Sequence, residues 1–174
     1  MNTWLGLLLA ILVVPAAVSA KVVEDSQYKF RADFPGVLSD KAEDFDARNG
    51  SLTWRAYTSG SPAGQTAVVY TATVKVFDTD STDVALLFNA GESDASQTLG
   101  VSLIGRKDGT FGAEKLPSLT LSYQGAMTAG GTPVKGKVLL VVKGKRLYEV
   151  AFSFSGADQT ATGEKFFRSF EILK

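Results

Sequence analysis

The side chains that could do chemistry in this chain are carboxylates, amines and hydroxyls, because its 174 residues include no histidine and no cysteine. Histidine general bases, Ser-His-Asp and Cys-His nucleophiles, and nearly all zinc or copper sites are therefore excluded. Hydrolysis by a pair of carboxylates stays open, since aspartate and glutamate suffice for it. No spacing selects one pair among the eighteen acidic residues. The sequence thus predicts a protein that is not an enzyme and that needs no cofactor or metal.

One motif has the spacing of a known nucleophile. Ser26-Gln27-Tyr28-Lys29 matches the Ser-x-x-Lys pattern of some acyl-transfer enzymes, in which a helical turn brings the lysine beside the serine. The alternating pattern around this segment predicts a strand instead, and a strand sends the two side chains to opposite faces. The other motifs expected beside it are absent, so we assign it no catalytic role.

An acidic cluster lies in the middle of the chain, at Asp78, Asp80 and Asp83. Several carboxylates on one loop could bind Ca²⁺, which prefers oxygen ligands. The spacing lacks the central glycine and terminal glutamate of an EF-hand loop, however. Acids just before a helix are also favoured by capping and by the helix dipole, and this is the interpretation we prefer.

A basic cluster is the second candidate for binding. Lys135 and Lys137 precede the predicted turn of a hairpin, and Lys143, Lys145 and Arg146 lie at it. The last three are candidates for contact with an acidic partner or surface. The alternative is that lysines at a hairpin tip serve solubility and protect sheet edges. Because eighteen basic residues balance eighteen acidic ones, we expect no binding to nucleic acid.

Residues 1–20 have the features of an export signal. Trp4–Val18 carries no charge, and the small residues of Val18-Ser19-Ala20 resemble a signal-peptidase site. We expect cleavage after Ala20, which places the mature chain in the periplasm or outside the cell with no stable membrane anchor. An uncleaved anchor is disfavoured, because the apolar run contains Pro15 and is shorter than the roughly 20 residues of a spanning helix.

Residues 21–174 are predicted to form one domain, of a size that buries roughly 68–70% of its unfolded surface. Apolar and polar residues alternate over short runs, which favours an antiparallel sheet. The clearest element is a hairpin, in which Val138–Val142 and Leu147–Phe154 flank a turn at Gly144. Further strands are predicted at Tyr28–Phe34, Ser51–Tyr57, Thr66–Phe77, Val101–Ile104 and Ser118–Tyr123.

Helical spacing appears twice. The first helix is predicted from Asp83 to about Ser96, with its N-cap at Ser81, Thr82 or Asp83. The second follows Gly156, begins at Thr160 or Thr162 as its cap, and docks on the sheet through a stripe formed by Phe166, Phe167 and Phe170. The polar segment 40–49 is predicted to be a loop or a weak helical turn.

The order of these signals resembles small exported bacterial proteins of the PsbP-like fold. The resemblance is carried by Phe30-x-x-x-Phe34-Pro35-Gly36, by the mid-chain helix, by Arg146-Leu147-Tyr148 and by Lys165-Phe166-Phe167-Arg168-Ser169-Phe170. It implies an α+β fold, a twisted antiparallel sheet flanked by helices, and a non-enzymatic role in docking to other proteins. The photosynthetic member of that fold has metal-associated histidines, which this chain lacks, so no metal site is transferred.

The sequence therefore predicts an exported, non-catalytic binding or accessory protein that docks to another protein or to an envelope complex, with Lys143, Lys145 and Arg146 as candidate contacts. A module that binds a small molecule or lipid in a cleft between helix and sheet is the alternative. A hydrolase that uses carboxylates comes third.

Overall fold

The structure is a computed structural model that describes residues 20–38, 43–46, 52–61, 67–77, 83–99, 102–126 and 133–174. The two helices are α1 (Val84–Leu99) and α2 (Thr160–Ser169). The strands are β1 (Lys21–Asp25), β2 (Phe30–Phe34), β3 (Val37–Leu38), β4 (Glu43–Asp46), β5 (Leu52–Ser61), β6 (Ala67–Phe77), β7 (Ser102–Phe111), β8 (Leu116–Ala126), β9 (Pro133–Lys143), β10 (Arg146–Ser155) and β11 (Glu171–Ile172).

The strands form two antiparallel sheets. The small sheet has the order β1-β2-β11, and the large sheet has the order β3-β5-β6-β10-β9-β8-β7, with β4 also paired to β5. One edge of the large sheet, at β5, is thus covered by the short strands β3 and β4. The other edge is β7.

Strict alternation along the central strands gives the large sheet two apolar faces. On β9, Leu139 and Val141 belong to one buried cluster, whereas Leu140 and Val142 belong to the other. The first cluster lies between the large sheet, the small sheet and α2. The second cluster lies under α1, which contributes Leu87 and Phe88. We call these the α2 face and the α1 face of the sheet.

The last helix docks through its aromatic stripe, as predicted. Phe166, Phe167 and Phe170 are all buried in the cluster of the α2 face. The end of the helix is also tied to the small sheet, because the Ser169 hydroxyl accepts from the Asp33 amide at 3.0 Å and donates to the Phe166 carbonyl at 2.7 Å. Burial of the stripe fixes α2 across β2 and β10.

Gly163 allows α2 to lie close to the sheet, and its replacement tests this packing. A Cβ at this position would overlap the Phe152 ring on β10. Alanine normally stabilises an exposed helix by about 1 kcal/mol relative to glycine, but Gly163→Ala is expected to destabilise the protein by about 1–3 kcal/mol through overpacking. Urea denaturation of the mature chain measures the change. A stabilising effect would contradict this packing.

The predicted α+β class is wrong: the fold is dominated by antiparallel sheet, with two short helices that each cover part of one face. The main reason is β7. Its prediction ends at Ile104, but the strand continues through Arg106-Lys107-Asp108 to Phe111. An edge strand faces water and carries charged residues, so it lacks the apolar alternation by which strands are recognised. Likewise, Glu43–Asp46 within the predicted loop is a strand.

Several local predictions are confirmed. The hairpin of β9 and β10 turns at Gly144, which has a φ of 57°. The first helix begins after Asp83, whose Oδ1 accepts from the amides of Ala85 and Leu86 at 3.0 and 3.2 Å. The cap predicted for α2 is wrong, because the Asp158 carboxylate, rather than a threonine hydroxyl, accepts from the Thr160 amide. Neither helix in the described part of the chain is both long and apolar enough to cross a membrane.

Candidate functional site

The described residues contain no group of three acidic side chains close enough to hold a metal ion. Asp83 caps α1, whereas Asp78 and Asp80 lie outside the described residues. Ser26 and Lys29 lie in the turn between β1 and β2 rather than in the predicted strand, and Lys29 has a φ of 60°. No hydrogen bond joins their side chains. The motifs with catalytic or metal-binding spacing therefore do not converge on a reactive site in this part of the chain.

The predicted partner contacts are partly occupied by internal interactions. Lys143 forms an ion pair with Glu114 in the turn between β7 and β8, at 3.0 Å. Arg146 donates to the Gln27 carbonyl at 3.4 Å. Lys145 is exposed at the tip of the hairpin. Lys143 and Arg146 thus connect the hairpin to neighbouring turns, which the sequence did not indicate.

A buried carboxylate that sequence reasoning missed joins the small sheet to the large one. The side chain of Asp25, at the end of β1, is only 3% exposed. Its Oδ1 accepts from the amides of Gln27 and Tyr28, both at 2.9 Å. Its Oδ2 accepts from Arg55 Nη1 at 3.1 Å and from the Tyr57 hydroxyl at 2.8 Å. We call Asp25, Tyr28, Arg55 and Tyr57 the Asp25 node.

The hydrogen bonds of the node outweigh the effect of burial on the carboxyl group. Burial alone raises the pKa of Asp25, but the Tyr28 amide, the Tyr57 hydroxyl and the Arg55 guanidinium together hold that pKa below its ordinary value. Burial, followed by the Asp25 charge, raises the pKa of Tyr57. At neutral pH the carboxylate is therefore ionised and fully bonded, which makes it a structural group and a poor general acid.

The edge of the large sheet at β7 is the longest open strand edge in the described part of the chain. Within that part of the chain, β7 pairs with β8 on one side and with no strand on the other. Eight of its ten residues are exposed. The register with β8 shifts between Leu103 and Gly105, so that Ile104 lies in a bulge and is 63% exposed. Lys107 and Asp108 are exposed and form no ion pair with other described residues.

A shallow groove crosses the α2 face next to this edge. It extends from Ile104 on β7 to Thr160 at the start of α2, and its volume is about 190 Å³. The side chains and backbone that line it come from β7, β8, β9, β10 and α2: Ile104, Ser122, Tyr123, Lys135, Gly136, Lys137, Phe152, Phe154 and Thr160. This groove borders the start of α2 but is shallow, and the alternative function, binding of a small molecule or lipid, stays a prediction.

Comparison with known proteins assigns this chain to no family. No model of a known protein family matches the chain, and no curated protein does. One solved structure with a similar course of the chain is a Pseudomonas aeruginosa protein of unknown function, PA94, which has a TM-score of 0.49 and 10% identity over 86% of this chain and 92% of that one. Similarity at that level carries no argument about function. The resemblance to PsbP-like proteins accordingly stays a prediction without support from a family match, and the fold it implied is wrong.

Proposed function

We propose that residues 21–174 act outside the cytoplasm as a non-catalytic binding protein that docks a partner protein by adding one of the partner's strands to β7. The observation that carries this proposal is the open edge of β7, which is ten residues long. At about 3.4 Å per residue the edge offers roughly 34 Å of backbone. Unpaired amides and carbonyls on such an edge bind extended segments through main-chain hydrogen bonds.

The contrast between the two edges of the large sheet supports a docking role for β7. At the opposite edge, β4 pairs with residues 53–56 of β5, and β3 pairs with Ser59 and Gly60. No described strand covers β7 in this way. The bulge at Ile104 and the charges of Lys107 and Asp108 discourage uncontrolled pairing, which suits an edge that accepts a selected partner and resists aggregation.

The proposal of export rests on the sequence of residues 1–20, which resembles a signal peptide. The first residue of β1 is Lys21, which pairs with Phe34 on β2. Cleavage after Ala20 would therefore leave every described strand and both helices in the mature chain. The proposal that the protein is not an enzyme rests on its composition, since histidine and cysteine are absent from the sequence.

Proline substitution at the edge tests strand addition. Successive amides of an edge strand point alternately toward the neighbouring strand and away from it, so one of Lys107→Pro and Asp108→Pro removes an outward amide and leaves the ladder with β8 intact. The proline variant with the higher melting temperature is the one whose replaced amide points outward, because the other variant loses a hydrogen bond to β8. We expect this variant to lose a protein that the wild-type mature chain retains in a pull-down from an envelope fraction.

The matched controls are Lys107→Gln and Asp108→Asn, which change the charge and keep the backbone amide. Both should retain the partner, because the main chain supplies most of the proposed contacts. The proposal fails if the outward proline variant retains the same proteins as the wild type. It also fails if the wild-type chain retains none.

A further inference from the structure

The groove on the α2 face combines two lysines with the edges of two phenylalanine rings that are otherwise buried, at 2% and 6% exposed. In the register of β9 and β10, Lys135 lies opposite Phe154 and Lys137 lies opposite Phe152. The two phenylalanine rings are stacked, with 6.4 Å between their centroids and 7° between their planes. Because directly opposite side chains of paired strands are neighbours, each lysine stem runs beside an aromatic ring and carries its ammonium toward the rim.

The ammonium groups of Lys135 and Lys137 differ in whether an acidic side chain of the described residues pairs with them. Lys137 pairs with Glu164 of α2 at 2.6 Å, but the two side chains are 33% and 35% exposed. An ion pair between two side chains that are each about one-third exposed is weak, so a ligand can replace it. Lys135 is exposed and forms no ion pair with any described residue. The acidic residue that Lys135 influences is Asp158. The pKa of Asp158 is lowered mainly by hydrogen bonds from the Thr160 hydroxyl and amide, and to a smaller extent by the charge of Lys135.

The size of the groove limits the ligand. Its volume of about 190 Å³ lies below the roughly 300–1,000 Å³ of pockets that hold drug-sized molecules. The apolar side chains at hand are Ile104, Phe152 and Phe154, and the hydroxyls are those of Ser122 and Thr160. This combination suits a short apolar chain that ends in an anionic group.

We infer that the groove binds a short-chain carboxylate amphiphile, with its chain beside Ile104 and the exposed edges of the Phe152 and Phe154 rings and its carboxylate at Lys135 and Lys137. The Ser122 hydroxyl, which also lines the groove, donates to the same carboxylate. The chain leaves the groove past Ile104, at the bulge of β7. This site is independent of the main chain of β7 to which the partner strand is proposed to add.

Titration of the mature chain with octanoate, followed by ¹H–¹⁵N NMR and calorimetry, tests the inference. Octanoate should shift the amides of Ser122, Gly136 and Thr160 more than those of α1. Octan-1-ol has the same chain without the charge, and it should bind about tenfold more weakly or worse, since a hydrogen bond to a charged group contributes about 1.5–3 kcal/mol. Acetate, which has the charge without the chain, should cause no comparable shifts.

Two sets of variants locate the site. Lys135→Gln combined with Lys137→Gln should weaken octanoate binding about tenfold. Ile104→Ser should also weaken it, whereas Leu86→Ser on α1 should not, although the two side chains are 63% and 62% exposed. Equal affinity for octanoate and octan-1-ol would overturn the inference, and so would shifts that do not concentrate at the groove or octanoate binding that the lysine variants leave unchanged.

Discussion

Phe166→Ala is expected to destabilise the folded domain by about 3–5 kcal/mol, the usual range for a large aromatic residue removed from a core. The side chain is only 1% exposed. Its ring centroid lies 5.0 Å from that of Phe34 on β2 and 5.4 Å from that of Tyr70 on β6. Removal of this ring therefore opens a cavity where α2, the small sheet and the large sheet meet.

Equilibrium denaturation in urea measures this loss, and Lys165→Ala is the matched control. Lys165 lies next to Phe166 on the exposed side of α2, so its truncation should change the free energy of unfolding by no more than about 0.5 kcal/mol. If Phe166→Ala and Lys165→Ala have similar stabilities, α2 is not packed across the two sheets as described.

Asp25→Ala is expected to have an effect of similar size. Truncation removes an acceptor for two backbone amides and two side chains at once. Removal of one partner from a buried ion pair typically costs about 3–5 kcal/mol, and Arg55 loses its contact with the Asp25 carboxylate. Asp25→Asn keeps one acceptor oxygen and should lose about 1–3 kcal/mol. Asp108→Asn, an exposed acid on β7, is the control and should be near neutral.

The Asp25 node also predicts the sign of a pH dependence. The folded pKa of Asp25 is lowered, so the folded state binds this proton less readily than the unfolded chain, in which the pKa is about 3.9. The stabilisation is complete above that pH and is lost as the pH falls through the folded pKa. Wild-type melting temperature should therefore decline more steeply below about pH 4 than that of Asp25→Asn. Parallel curves for the two proteins would contradict this assignment.

Raised tyrosine pKa values predict a second loss of stability at alkaline pH. Burial raises the pKa of Tyr70 and Tyr148, and burial together with Asp25 raises that of Tyr57. Folding therefore favours the neutral phenols, whose contribution is complete below their unfolded pKa of about 10 and is lost above it.

The elements that could be predicted are those in which the positions of the apolar residues along the segment match the faces that are buried. The run Val138–Val142 is apolar on both sides because both faces of β9 are covered. The stripe on α2 follows helical spacing because one side of that helix is buried. In both cases the local sequence contains the signal, so the element and its buried face follow from it.

The parts that could not be predicted depend on distant residues. The charged run Arg106-Lys107-Asp108 is a strand because it pairs with Leu119–Leu121 on β8, and its own sequence gives no sign of this. Asp25 looks like an ordinary surface acid until Arg55 and Tyr57, some thirty residues further along the chain, contact it. No local pattern identifies such a contact.

The candidate site was predictable only in its residue types. A cluster of lysines around the hairpin suggested a binding surface, but it could not show that Lys143 is engaged by Glu114 while Lys135 borders a groove. The open edge of β7 was missed entirely, because its strand was expected to end at Ile104.

Strand addition to β7 is tested most directly by photocrosslinking in cells that produce the protein. The photoreactive residue benzoylphenylalanine replaces Lys107 or Thr110 on β7, and Leu86 on α1 as the exposed control. Crosslinks from both β7 positions to one and the same partner protein, with none from position 86, are the predicted result. Equal crosslinking from position 86, or no protein adduct from either β7 position, would contradict docking at this edge.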